Sequence, residues 1–183
     1  MENSDNFASL TAETKAEADR LFLSYAVRNL TGADLFLFNR MYDDVDEEGR
    51  YRVSPNTCNV VVEQGCVVVS KKIPSLPPFM LVEAPNLPCV TLVPRGGVFS
   101  EKLELRLPLR PWTPYADLEP QCHRSTMPLV FELGYFIGRE GTRALAKEVP
   151  TNAGLLPRFA PFSAASQSLI RVGPFPSVEV LGD

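Results

Sequence analysis

The residues best equipped for recognition lie in one short stretch, Arg110-Pro111-Trp112-Thr113-Pro114-Tyr115. Trp, Tyr and Arg supply large contact area at little entropic cost and dominate binding hot spots. The flanking prolines restrict the backbone. The chemistry expected is contact with a protein or a ligand, and the competing expectation is that Trp112 plugs one end of the core. The chain's only histidine follows in Cys122-His123-Arg124. Adjacent residues of an extended segment point to opposite sides, so Cys122 and His123 do not by themselves make a nucleophile–base pair. His123 and Arg124 join Arg110, Trp112 and Tyr115 as candidate binding residues. With Asp117 and Glu119 they would form a small-ligand or enzyme site if a concave pocket gathered them.

An acidic run, Asp43-Asp44-Val45-Asp46-Glu47-Glu48-Gly49, is the second candidate. Asp44, Asp46, Glu48 and Gly49 imitate the first half of a calcium loop. An EF-hand needs Glu at loop position twelve, where Pro55 stands, and flanking helices where strands are expected. Asp43, Asp44 and Asp46 remain a weak candidate metal set, and a solvated loop protecting a sheet edge is the alternative. Pro94-Arg95-Gly96-Gly97 lacks the Gly-Lys-Ser/Thr of a phosphate loop and leads toward a strand. The chain contains no Gly-x-Ser-x-Gly, His-Glu-x-x-His or Cys-x-x-Cys motif, and no cofactor is expected. Asn29-Leu30-Thr31 matches the glycosylation sequon, which is taken as chance in a chain without an export signal.

Four cysteines stand at 58, 66, 89 and 122. A hairpin turning at Glu63-Gln64-Gly65 or at Gln64-Gly65 separates Cys58 from Cys66 by roughly 14 Å or more along the ladder. A disulfide needs Cα atoms within about 7 Å, so these two do not pair with each other. Pairing with Cys89 or Cys122 is left open, beside the expectation of buried free thiols acting as small hydrophobes.

The elements that would hold these residues are read from periodicity. Seventeen prolines in 183 residues disfavour long helices and suit short strands joined by fixed turns. One helix is expected, over Ser9–Arg20, with Thr11 as its cap. Leu21–Asn29 and Leu35–Tyr42 predict a hairpin across the turn at Asn29–Asp34. Phe36 and Phe38 oppose Leu35 and Leu37, which predicts a strand covered on both faces. Thr57–Val62 and Cys66–Ser70 predict a hairpin with Gly65 at positive φ. Short strands follow at Phe79–Val82 and Val90–Val93. Leu103, Leu105, Leu107 and Leu109 alternate with Glu104, Arg106 and Pro108, the signature of a half-buried strand. A long irregular loop spans 110–128, then a strand over Leu129–Ile137 and a helical turn within Thr142–Glu148. Pro150–Ser166 reads as an extended cover over the sheet. Ser168–Leu181 reads as one late strand, or as a pair split by Pro174 and Pro176.

Strand spacing of this kind predicts a mainly-β chain: an immunoglobulin-like or fibronectin-like antiparallel β-sandwich over 21–183 with a short N-terminal helical arm over 1–20, or a small β-barrel. Net charge −4 and a pI near 5.1 argue against nucleic acid and anionic membrane as partners. The polar, acidic start lacks the form of a signal peptide, so a cytoplasmic location is expected. The expected function is a protein-binding or interaction module without catalytic activity. The alternatives are an intracellular protease-inhibitor-like domain using Ser75-Leu76-Pro77-Pro78 or the Trp112 loop, and a small-ligand site or enzyme at 110–128. Open strand edges make a homodimer a further expectation.

Overall fold

The computed structural model describes residues 1–77, 80–82, 85–115, 123–160 and 162–182. The predicted short strand at Phe79–Val82 is not formed at Met80–Val82, and Phe79 lies outside the described residues. In chain order the strands are β1 (Glu2–Ser4), β2 (Ala8–Glu17), β3 (Arg20–Asn29), β4 (Leu35–Arg40), β5 (Tyr42–Val45), β6 (Tyr51–Val53) and β7 (Asn59–Glu63). They continue with β8 (Cys66–Lys71), β9 (Cys89–Val93), β10 (Val98–Arg106), β11 (His123–Ile137), β12 (Lys147–Thr151), β13 (Gly154–Arg158) and β14 (Ser168–Gly182). The chain is mainly β. Among the described residues the only helical pieces are 3-10 turns at Thr142–Leu145 and Ala164–Ser166.

Among the described residues three sheets form, and none closes into a barrel. Sheet one has the order β1-β2-β3-β10. Sheet two runs β7-β8-β11-β4-β9, with β14 paired to β11. Sheet three runs β13-β12-β6-β5. Strand β11 organises sheet two. One edge pairs along β14, and the other pairs first with β8, in parallel, and then with β4. The parallel pair and the third sheet depart from the all-antiparallel expectation.

The predicted N-terminal helix is absent, and its residues are β2. Ala8, Leu10 and Ala12 are buried while Thr11, Glu13 and Lys15 are exposed, which is a period of two. The ten-residue register with β3 supplies ladder hydrogen bonds over the whole segment. A helix there would have offered only a thin alanine face, and tertiary pairing outweighs the helical propensity of Ala, Glu and Lys. Residues 1–20 are therefore part of sheet one and not a separate arm.

A second departure concerns the expected hairpin of Leu21–Asn29 with Leu35–Tyr42. β3 pairs with β2 and β10 in sheet one, whereas β4 crosses to sheet two. Asn29 makes the corner. Its buried amide donates to the carbonyls of Ala33 (2.8 Å) and Val93 (2.9 Å), and its oxygen accepts from Thr31. An amide committed in this way is not free for glycan attachment in the folded chain.

Sheets one and two share one core. Leu10, Leu21, Leu23, Val27 and Leu103 from one face meet Leu35, Leu37, Val67, Val69, Leu129, Phe131 and Leu133 from the other. β4 is covered on both faces, as its two apolar rows predict. Leu35 and Leu37 face this core, and Phe36 and Phe38 enter a second cluster with Phe136, Phe159 and Phe162. The Pro/Ala-rich segment after Pro150 supplies that cover. The β7–β8 hairpin turns on Gln64 and Gly65, both at positive φ (50° and 76°), with Glu63 opposite Cys66.

Candidate functional site

The segment after β10 does not loop free. Leu109 lies against the open edge of β14, with its N–H on the Glu179 carbonyl and its carbonyl accepting from the Leu181 N–H, both at 2.8 Å. Three residues on, Trp112 exchanges two backbone hydrogen bonds with Val60, at 2.8 and 2.9 Å, and so extends the edge of β7. The backbone carrying Arg110 is thus pinned at both ends, spanning from β14 to β7 at one end of the two-sheet core.

This span forms one wall of a groove of about 370 Å3. Cys58, Val60 and Leu109, all buried, make an apolar floor. Leu105 and the half-buried Trp112 add apolar walls, while Arg106, Arg110 and Asp43 bring charge to the rim. The two most distinctive features of the sequence, the Trp112 segment and the acidic run, therefore meet in one depression.

The five candidate binding residues separate. Arg110 and Trp112 line the groove. His123 and Arg124 open β11, opposite Gly182 and Leu181, with β14 between them and Leu109. Arg124 is exposed, with Glu179 3.8 Å away. Tyr115 ties down another segment, its hydroxyl accepting from the Asn86 N–H at 2.7 Å. Asp117, Glu119 and Cys122 lie outside the described residues, as does Pro78 of the Ser75–Pro78 segment.

Two arginines that follow the acidic run pair with four of its five carboxylates. Arg52 binds Asp43 (3.0 Å) and Asp44 (3.1 Å), and Arg50 binds Asp46 (2.8 Å) and Glu48 (3.0 Å). Asp46 also accepts backbone N–H groups of Glu48 and Arg50, which hold its carboxyl below the usual range. The carboxylates of Asp43, Asp44 and Asp46 are thus turned to arginines. Among the described residues no three His, Cys, Asp or Glu side chains converge as a metal site would need.

The groove floor offers no ready nucleophile. Burial pushes the Cys58 thiol up to about 11, with the Lys71 ammonium acting weakly the other way. Nucleophilic attack needs the thiolate. Cys58, Cys66 and Cys89 are all free.

Behind this floor lies a buried polar network that the strand patterns alone did not reveal. Lys71 on β8 is fully buried and reaches Glu101 on β10 at 3.0 Å and the Asn39 carbonyl at 3.1 Å. Glu101 also accepts from the Tyr25 hydroxyl (2.9 Å) and from Arg40 (3.1 Å), whose guanidinium lies 5.4 Å from the Phe99 ring centre. Burial lowers Lys71 against the pull of Glu101, and it raises Tyr25, helped by the same carboxylate. The network bolts sheet one to sheet two. Its signal was parity: Lys71 shares phase with Val67 and Val69, and Glu101 with Leu103 and Leu105, so both charges fall on buried faces.

Among the described residues no helix is long and apolar enough to cross a membrane. No family model matches the chain, and the searches of curated proteins and of solved structures likewise return no match.

Proposed function

We propose that this chain is a protein-binding module that holds an extended segment of a partner in the Trp112 groove. The observation that carries the reading is the rigid presentation of Trp112. Two backbone hydrogen bonds fix it to Val60 over an apolar floor, with Arg110 and Arg106 at the rim. A preformed aromatic and arginine surface binds with little loss of order. The reading keeps the immunoglobulin-like analogy, in which segments at one end of two packed sheets make the contact surface. It is supported by the position of Ser54–Cys58 and Leu109–Trp112 around one groove.

The groove volume falls near the lower end of small-ligand sites, about 300–1,000 Å3, which keeps a small-molecule reading as the alternative. The inhibitor-like reading rests on the exposed Leu76. Panning a random peptide library against the immobilised chain separates the three. The binding-module reading predicts selected peptides whose capture is lost with Trp112→Ala and weakened with Arg110→Ala. Peptides retained equally by Trp112→Ala would contradict it, and inhibition of a protease by the intact chain, abolished by Leu76→Ala, would favour the inhibitor.

A further inference from the structure

The outer face of sheet one is a second surface, which borders the groove at Arg106. The registers of β2, β3 and β10 set its residues in rows: Thr11–Ala26–Ser100, Glu13–Ser24–Lys102, Lys15–Phe22–Glu104 and Glu17–Arg20–Arg106. These side chains project away from the buried Leu10, Leu23 and Leu103. Down β2 the charges read minus, plus, minus at Glu13, Lys15 and Glu17. Down β10, in the same rows, they read plus, minus, plus at Lys102, Glu104 and Arg106. β3 lies between, so the two columns are about 10 Å apart and do not face each other directly. Depressions of about 750 and 590 Å3 occupy this face, both bordered by Glu13, Ser24 and Lys102. Phe22, beside Ser24, is 38% exposed.

We propose that a second copy of this chain docks on this face, sheet against sheet, about a twofold axis running along β3. That axis lays the β2 column of one copy over the β10 column of the other. Glu13 then meets Lys102, Lys15 meets Glu104 and Glu17 meets Arg106, each pair occurring twice. The two Phe22 rings meet on the axis beside the small side chains of Ser24 and Ala26. A twofold axis across the strands at the Ser24 row would instead set Glu13 on Glu13 and Lys102 on Lys102, and one midway between the Ser24 and Phe22 rows would make four opposite-charge contacts against six, so the charge pattern favours the first. Arg20 meets Arg20 on the axis, where the Glu17 and Glu104 carboxylates beside each guanidinium offset the like charges, and Arg28 lies at the far end of β3, where sheets packed at about 30° diverge. Within one copy, Lys15 pairs with Glu17 and Arg20 with Glu104, all four exposed. Exposed pairs of this kind exchange partners at little cost.

The three long strands give a face of roughly 15 by 30 Å, about 450 Å2 in projection. Stable interfaces bury about 800 Å2 per partner. The dimer is accordingly weak, and it weakens further as salt screens the pairs. The contact is through a sheet face and not through the open strand edges.

Sedimentation velocity over a concentration series, at low salt and at about 0.5 M salt, tests it. Glu13→Lys and Lys102→Glu should each weaken the dimer at least about tenfold. The double variant E13K/K102E should regain wild-type association, because the swapped charges face each other again. Both substituted positions are exposed, and circular dichroism confirms folding. Trp112→Ala should leave association unchanged, which separates this dimer from the groove. A chain that stays monomeric at about 1 mM and low salt, a dimer indifferent to the single reversals, or a double variant as weak as the singles would each overturn the proposal.

Discussion

Raising the pH should selectively cost the stability that Cys58 contributes. Its thiol titrates near 9.0 in an unfolded chain and about 11 when folded, because burial disfavours the thiolate. Between those values the unfolded chain gives up the proton and the folded chain keeps it. The folded state then binds more protons, so stability falls as pH rises. Two pH units at about 1.36 kcal/mol each set the ceiling, and the loss reaches about 2 kcal/mol near pH 10.5. Tyr25 and Cys89 change in the same sense and Lys71 in the opposite one, so the measurement is a difference. Urea unfolding of the wild type and of Cys58→Ala would be followed from pH 8 to 10.5. Cys58→Ala starts less stable, because it leaves a small void, and the gap should close by about 2 kcal/mol across the range. A gap that stays constant, or that widens, would refute the assignment of a protonated thiol beneath the groove.

Three further outcomes follow from the geometry. Ala18 turns the β2–β3 hairpin at φ 50°, a left-handed conformation that costs a non-glycine residue about 1–2 kcal/mol; Ala18→Gly should raise unfolding stability by up to about 1 kcal/mol after the added unfolded-state entropy. A Cβ on Gly134 would fall 2.8 Å from Lys72 Cβ and press on the Gln167 side chain, which bonds the Ile73 backbone; Gly134→Ala should cost about 1–3 kcal/mol in the same assay. Lys71→Met removes one of the two cations on Glu101, leaving Arg40 and the Tyr25 hydroxyl, and should cost about 1.5–3 kcal/mol in the same assay.

Short apolar runs bounded by turn residues, and one leucine/charge alternation, were legible before any coordinates. β4, β8 and β9 fall within a residue or two of their expected bounds, and the 103–106 portion of β10 has its expected faces. Apolar runs buried on both faces, as in β4 and β8, and the alternation of a half-buried strand, as in β10, are local properties. Pairing was not legible in the same way. β3 looked like the partner of β4 because a turn signature joins them, yet the turn is a corner between sheets. β2 looked helical because alanine, glutamate and lysine favour helix, and only its ten-residue register with β3 shows otherwise. Strand β11 begins at His123, six residues before its expected start at Leu129, since β14 pairs with it from His123 to Tyr135. The Trp112 segment was recognisable from residue types alone. That Arg110 shares its groove with Asp43, whereas Tyr115 turns to Asn86, depends on long-range packing that no spacing encodes.

In the proposed binding module, Trp112 is the contact residue of the groove. Trp112 is the chain's only tryptophan, so its fluorescence reports on the groove with no other indole contributing. Titration with a peptide selected by panning should give a saturable shift in Trp112 emission with the same midpoint as calorimetry. Calorimetric binding that leaves the emission unchanged would place the contact elsewhere and contradict the account.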